Sequence, residues 1–151
     1  MTTPIGFQVT FDANDPHAQA RFWAAALHYE LEADDTMIRR LLDDGVVTEE
    51  DVVEIDGTLF WRTGSAIRHP ADADVGPFED PAPRRLLFLA VPEGKTVKNR
   101  VHLDLNVGTD NIDAEVARLT ELGARELYRV DEPSSTHTTM ADPEGNEFCV
   151  Q

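Results

Sequence analysis

The stretch that decides the fold lies near the end of the chain. It begins Val101-His102-Leu103-Asp104-Leu105-Asn106-Val107 and closes on Asp142-Pro143-Glu144-Gly145-Asn146-Glu147-Phe148. The first run alternates apolar and polar residues, the period of a strand with one packed face. Asp110 can cap the helix that follows, and Asp113 favours its dipole. Ile112, Val116 and Leu119 fall on one helical stripe, and Gly123 marks the end. Strands are predicted over residues 124–130, 136–141 and 147–151. The last two are joined by the turn-forming residues Asp142 to Asn146. The segment therefore reads strand, helix, three strands.

Working outward, the same phrase recurs near the start. Phe7-Gln8-Val9-Thr10-Phe11 alternates, and Asp15-Pro16 is a helix start, with Asp as cap and Pro in the first turn. Over residues 17–29, Phe22 with Ala26 and Trp23 with Leu27 form i,i+4 pairs on an inward stripe, so Trp23 reads as core. This half is longer than the other. Residues 35–42 form a short helix ending near Gly45, and Thr48 with Asp51 resembles a capping pair. Residues 52–55 and 58–61 flank Asp56-Gly57, a two-residue hairpin signature. Residues 65–69 continue the sheet. Residues 70–83 hold four of the nine prolines and read as an exposed loop, and residues 85–91 are an apolar strand. The expectation is one α+β domain over residues 1–151. It is built from two βαβββ modules, about 5–91 and about 99–151.

The 13 basic and 29 acidic residues give a formal net charge of −16. Phosphate backbones and anionic membranes select clustered Lys and Arg, so nucleic acid and membrane are excluded as expected partners. Residues 30–80 carry 15 acids and four Arg, so −11 of the charge sits in the longer first half. A composition 41% hydrophobic, with seven Phe and two Trp, builds a core and argues against disorder. The one cysteine, Cys149, leaves no disulfide framework and suits a reducing cytosol. No window approaches the ~18 apolar residues of a membrane span. A soluble cytoplasmic protein is expected.

The two strand-helix-strand-strand-strand halves, with the ending from Asp142 to Phe148, resemble the vicinal oxygen chelate superfamily. That superfamily includes glyoxalase I, extradiol dioxygenases, and the bleomycin and fosfomycin resistance proteins. The run from Lys98-Asn99-Arg100 to Asp104, with Gly145-Asn146-Glu147-Phe148-Cys149, resembles its glyoxalase-like domain group. The resemblance implies the glyoxalase/bleomycin resistance fold, in which the two modules form a curved mixed sheet around one cleft, with a small-molecule site in that cleft and a homodimer. In metal-using members, a His or Glu on the first strand and a Glu on the last strand of each half converge on one divalent ion. Here those positions fall on His102, Gln8, Cys149 and the apolar run Leu86-Leu87-Phe88-Leu89. That set does not make an oxygen- and nitrogen-rich site, so no catalytic metal is expected. If a metal binds, His102 and Glu147 are the pair expected to hold it.

The residues themselves suggest where chemistry lies. His102, Asp104 and Asn106 share one strand face. A buried His and Asp must pair or meet a ligand. His102 is a candidate general acid/base with Asp104 orienting it; the alternative is a structural network with neighbouring strands or Arg100. Gln8 and Thr10 are candidate substrate contacts in the first half. His137 shares a face with Thr139 and is either a residue that completes the pocket or an exposed edge histidine, while Glu147 shares a face with Cys149, so both of these can reach the cavity. Cys149 reads as a small hydrophobe, because a reactive thiol needs an electropositive setting. Lys98 and Arg100, with Lys95, form the densest basic cluster and a candidate anion-binding lip. Trp61 is a candidate stacking residue or a core residue. The expected function is proton transfer on a small organic metabolite, in the manner of a glyoxalase-like lyase or isomerase without metal or other cofactor. The alternative is a non-catalytic protein that sequesters an antibiotic or other small molecule through an acidic cleft, as bleomycin resistance proteins do.

Overall fold

Ten strands and three α-helices follow one another along the chain among the described residues, in the order βαβαββββ for the longer half and βαβββ for the shorter. The structure is a computed structural model and describes residues 2–151. It divides into two compact units, Met1–Pro92 and Glu93–Gln151. The class is α+β with mixed sheets. No helix is long and apolar enough to cross a membrane among the described residues.

In unit 1, β1 (Val9–Ala13), β2 (Glu30–Leu31), β5 (Gly64–Arg68) and β6 (Arg85–Ala90) form a four-stranded sheet in the order β1-β6-β5-β2, and α1 (Pro16–Leu27) follows β1. β1 pairs with β6 in parallel, while β5 runs antiparallel to both β6 and β2. Between β2 and β5 the chain inserts α2 (Asp35–Asp43) and the hairpin of β3 (Val52–Ile55) and β4 (Thr58–Trp61). α1 starts as expected: the Asp15 carboxylate accepts from the backbone N–H of His17 and Ala18, and Pro16 enters the first turn. Its apolar stripe buries Trp23 completely against the sheet, with Phe11 5.6 Å and Phe22 5.4 Å from Trp23 between ring centroids. The hairpin turns through Asp56 (φ 50°) and Gly57 (φ 81°), the two positive dihedrals of a type I′ turn, which Gly adopts without strain.

In unit 2, β7 (Asp104–Leu105), α3 (Ile112–Glu121), β8 (Arg125–Glu132), β9 (Ser135–Ala141) and β10 (Glu147–Val150) repeat the pattern. The sheet order is β7-β10-β9-β8, with β7 parallel to β10 and the other pairs antiparallel. Ile112 and Leu119 of α3 are buried, as are Met140, Phe148 and Val150 of the sheet.

Three local expectations are corrected. The first strand starts at Val9, not Phe7, and Phe7 is exposed, because the parallel pairing with β6 begins at Val9. The expected strand over 101–107 narrows to Asp104–Leu105. Its ladder bonds still reach from Leu103 O to Gln151 O, so alternation survives, with Leu103 half-buried and Leu105 buried. Asp110 does not cap α3. It lies in a short 3-10 turn, Thr109–Asn111, and the amide of Asn111 donates to Val107 O instead.

Candidate functional site

The face of the unit 2 sheet opposite α3 is built by strand parity. On β10, Phe148 and Val150 are buried, so Glu147 and Cys149 point to the other side. Register carries that face across the sheet. Asp104 pairs with Cys149, Cys149 with Thr139, and Thr139 with Tyr128, giving one lateral row from four strands. His102, two residues before Asp104, and His137, two before Thr139, extend it. An open cavity of about 330 Å³ lies over this row. Six of the expected site residues line it: Lys98, His102, Asp104, His137, Glu147 and Cys149.

His102 Nδ1 lies 2.8 Å from Asp104 Oδ1. The side chains are 42% and 43% exposed, so the pair is not the buried one expected from alternation. The polar face looks onto an open cavity, and neither group pays a full desolvation cost there. With Nδ1 protonated and donating to Asp104, the lone pair of Nε2 is left to accept a proton.

Glu147 is held from the other side. Lys95 Nζ sits 3.1 Å from its carboxylate, and the backbone N–H of Asn99 donates to it at 3.0 Å. Burial would raise this carboxyl. The N–H of Asn99, its own N–H and the Lys95 ammonium outweigh burial and bring it down to about 2. It is therefore a fixed, paired anion rather than an open ligand beside His102. Cys149 takes the nearer place. Its Sγ lies 3.5 Å from Thr139 Oγ1. Burial pushes its thiol up, the Thr139 hydroxyl opposes this, and the Asp104 carboxylate adds to the rise. A raised thiol stays protonated at neutral pH and is a poor nucleophile.

The nearest donor atoms of His102, Asp104 and Cys149 all lie within 4.8 Å of one another. One nitrogen, one oxygen and one sulfur make a donor set that suits zinc-class ions, which accept all three, rather than manganese, which prefers oxygen.

The remaining expected residues lie elsewhere. Arg100 is exposed and does not line the cavity. Gln8 precedes β1, and its Oε1 accepts from Arg85 Nη1 at 2.8 Å. Arg85 is itself bidentate on Glu32, which also accepts from Arg68 at 2.7 Å. Burial opposes ionisation of Glu32, and the two guanidinium groups overcome it, holding its carboxyl below the ordinary range. Gln8 is thus part of a structural ion-pair network in unit 1. Thr10 is exposed on the edge strand β1. Trp61 lines a different cavity, within unit 1. Tyr128, Ser135 and Gln151 line the unit 2 cavity without having been singled out by sequence, whereas Thr139 lines it on the face that alternation gave it with His137. Tyr128 needs the register across β8 and β9, with its shift between Glu126 and Tyr128.

Solved structures share this fold. Fosfomycin resistance protein FosX from Mesorhizobium loti has TM-score 0.61 at 10% identity, over 100% of this chain and 92% of that one. FosX from Listeria monocytogenes, as an E126Q mutant complexed with Mn(II) and 1S,2S-dihydroxypropylphosphonic acid, has TM-score 0.59 at 8% identity, over 100% and 90%. The bleomycin-binding protein of Streptomyces verticillus, complexed with copper(II)-bleomycin, has TM-score 0.53 at 16% identity, over 100% and 98%. At these identities the likeness is one of fold, and fold does not carry function. Comparison with curated protein sequences finds no match. A family model described as "Glyoxalase-like domain" matches residues 8–151. The chain therefore belongs to the glyoxalase-like domain family, with the glyoxalase/bleomycin resistance fold.

Proposed function

We propose that this protein is an enzyme that transfers a proton on a small organic carbonyl compound held in the unit 2 cavity. The observation that carries this reading is the 2.8 Å His102–Asp104 pair on the cavity wall. Asp104 orients the ring, and Nε2 of His102 takes the proton from the carbon next to the carbonyl. The C–H bond breaks as the N–H bond forms, and the electron pair moves to the carbonyl oxygen as an enolate. Lys98, the lining residue whose ammonium charge also acts on Cys149, supplies the countercharge for that oxygen or for a substrate carboxylate. Transfer of the proton from His102 to the enolate oxygen completes a keto–enol isomerisation, while its return to the carbon regenerates the substrate and leaves solvent exchange as the visible trace.

The test needs no product assay. In D2O, a panel of 2-oxo carboxylates is followed by proton NMR for exchange at the carbon beside the carbonyl. The wild-type protein accelerates exchange for at least one member. His102→Ala lowers that rate by 10²-fold or more, in line with loss of a general base. Asp104→Asn lowers it by less and leaves substrate affinity unchanged. Equal rates in wild type and His102→Ala would end the proposal.

The clustered donors favour a second reading in which His102, Asp104 and Cys149 hold a zinc-class ion. Such an ion, when bound, polarises a carbonyl oxygen as a Lewis acid. Cobalt(II) added as a zinc surrogate then produces a sulfur-to-metal charge-transfer band that is lost in Cys149→Ser. No band in the wild-type protein would remove this reading and leave the acid/base one standing.

A further inference from the structure

α2 and the β3–β4 hairpin have no counterpart in unit 2. They carry a small apolar cluster of their own, in which Ile38, Val52 and Leu59 are buried with Leu42 and Trp61 against them. The Asp35 carboxylate joins helix to hairpin, accepting from Leu59 N at 2.7 Å and from Arg39 Nε at 2.8 Å. Between this insertion and the unit 1 sheet lies a cavity of about 250 Å³. Ile38, Phe60, Trp61, Leu87 and Leu89 supply its apolar and aromatic wall.

The polar groups at this wall are few and unequal. Arg85 and Glu32 line it, but each is committed to the other and to Gln8 and Arg68. Asp34 also lines it, just before α2, and its side chain makes no capping bond. Ser65, 7% exposed, lines it too, and its Oγ has no hydrogen-bond partner among the described residues. Glu32, Asp34 and Arg85 are the charged residues that line the cavity, and with Glu32 paired to Arg85 and Arg68 the Asp34 carboxylate leaves the lining net negative. An aromatic wall in a negative field, with an uncommitted carboxylate at the rim, is complementary to an aromatic cation. The volume lies below the usual range for drug-sized ligands and suits a fragment of one or two rings.

We propose that this insertion pocket is a second small-molecule site that binds an aromatic amine, with the ring against Trp61 and Phe60 and the ammonium facing Asp34. Every residue of its lining comes from unit 1, so the proposal does not rest on the His102 reading.

Three probes share one indole ring and differ only in charge: tryptamine (cation), tryptophol (neutral) and indole-3-acetate (anion). Isothermal titration of the full chain should show saturable one-to-one binding of tryptamine. It should be at least about threefold tighter than tryptophol, the scale of one partly exposed charge pair, with indole-3-acetate weakest. Asp34→Asn should bring tryptamine to the affinity of tryptophol and leave tryptophol unchanged. Proton–nitrogen correlation spectra locate the site. The indole N–H signal of Trp61, assigned by its loss in Trp61→Phe, should shift with tryptamine, while that of fully buried Trp23 should not. Equal affinities for the three probes, an unchanged tryptamine affinity in Asp34→Asn, or binding that leaves the Trp61 signal in place would each overturn the proposal.

Discussion

Glu147 and Cys149 stand two residues apart on the same face of β10, yet their surroundings give them opposite tendencies. Glu147 is met by a cation and by backbone N–H groups, and its ionised form is favoured. Cys149 is met by burial and by a carboxylate, and its neutral form is favoured. The Glu147 shift is also a statement about stability. Its carboxyl is depressed from 4.5 to about 2 in the fold. Its contribution is therefore complete above pH ~4.5 and is lost as pH falls toward 2. Glu147→Gln should lower the melting temperature at pH 7. The gap between the melting curves of wild type and variant should close between pH 4.5 and 2. A gap that stays constant across that range would show that the ion pair contributes nothing. Parity placed both residues toward the cavity from sequence. Which of them faces His102 depended on Lys95 and Asn99 reaching across from the preceding loop, contacts 52 and 48 residues distant in the chain.

At the scale of elements, α2 and the hairpin are tied by the Ile38–Val52–Leu59 cluster, by Arg39 donating to Gly57 O and by Asp35. Asp35 both opens α2 and accepts the Leu59 N–H, so one side chain couples helix to hairpin. Asp35→Ala removes the acceptor and leaves the part-buried Leu59 N–H unpaired, which destabilises the insertion. Local opening of α2 and the hairpin should increase, while the sheet holds. Hydrogen exchange should therefore quicken over residues 35–61 with little change in β5 and β6. Uniform quickening throughout unit 1 would mean that the insertion and the sheet open together. The elements themselves were legible in sequence because each carries a local mark: Asp15-Pro16 at a helix start, Asp56-Gly57 between alternating runs, Gly145 at a turn with φ 89°. The length of β7 was not legible. Its alternating run is seven residues long, but only where β10 lies alongside does the backbone find ladder partners.

At the scale of the whole molecule, a net charge of −16 opposes the folded state through self-repulsion. The paired ions offset only part of this, since several, such as Arg40 with Asp44, are widely exposed and worth little. Added salt screens repulsion within a Debye length that falls from about 30 Å at 0.01 M to about 8 Å at 0.15 M. The melting temperature at pH 7 should therefore rise when sodium chloride is raised from about 10 to about 150 mM. A fall would mean that favourable pairs, chiefly the Glu32–Arg68–Arg85 network, outweigh the repulsion.

By itself the sequence determined the periodicities: two strand-helix-strand repeats, the extra helix and hairpin, and the polar face carrying His102 and Asp104. These follow from short-range rules of side-chain direction, capping and turn geometry, which act within a few residues. It also determined the membership of the chain in its family, through motifs that lie close together. Only the tertiary structure decided which polar residues meet. It gave Gln8 to Arg85, Glu147 to Lys95, and Trp61 to a cavity of its own unit. It brought Cys149 beside His102 and Asp104. The reason is physical: strand register and loop closure set distances between residues far apart in the chain, and no local pattern encodes them.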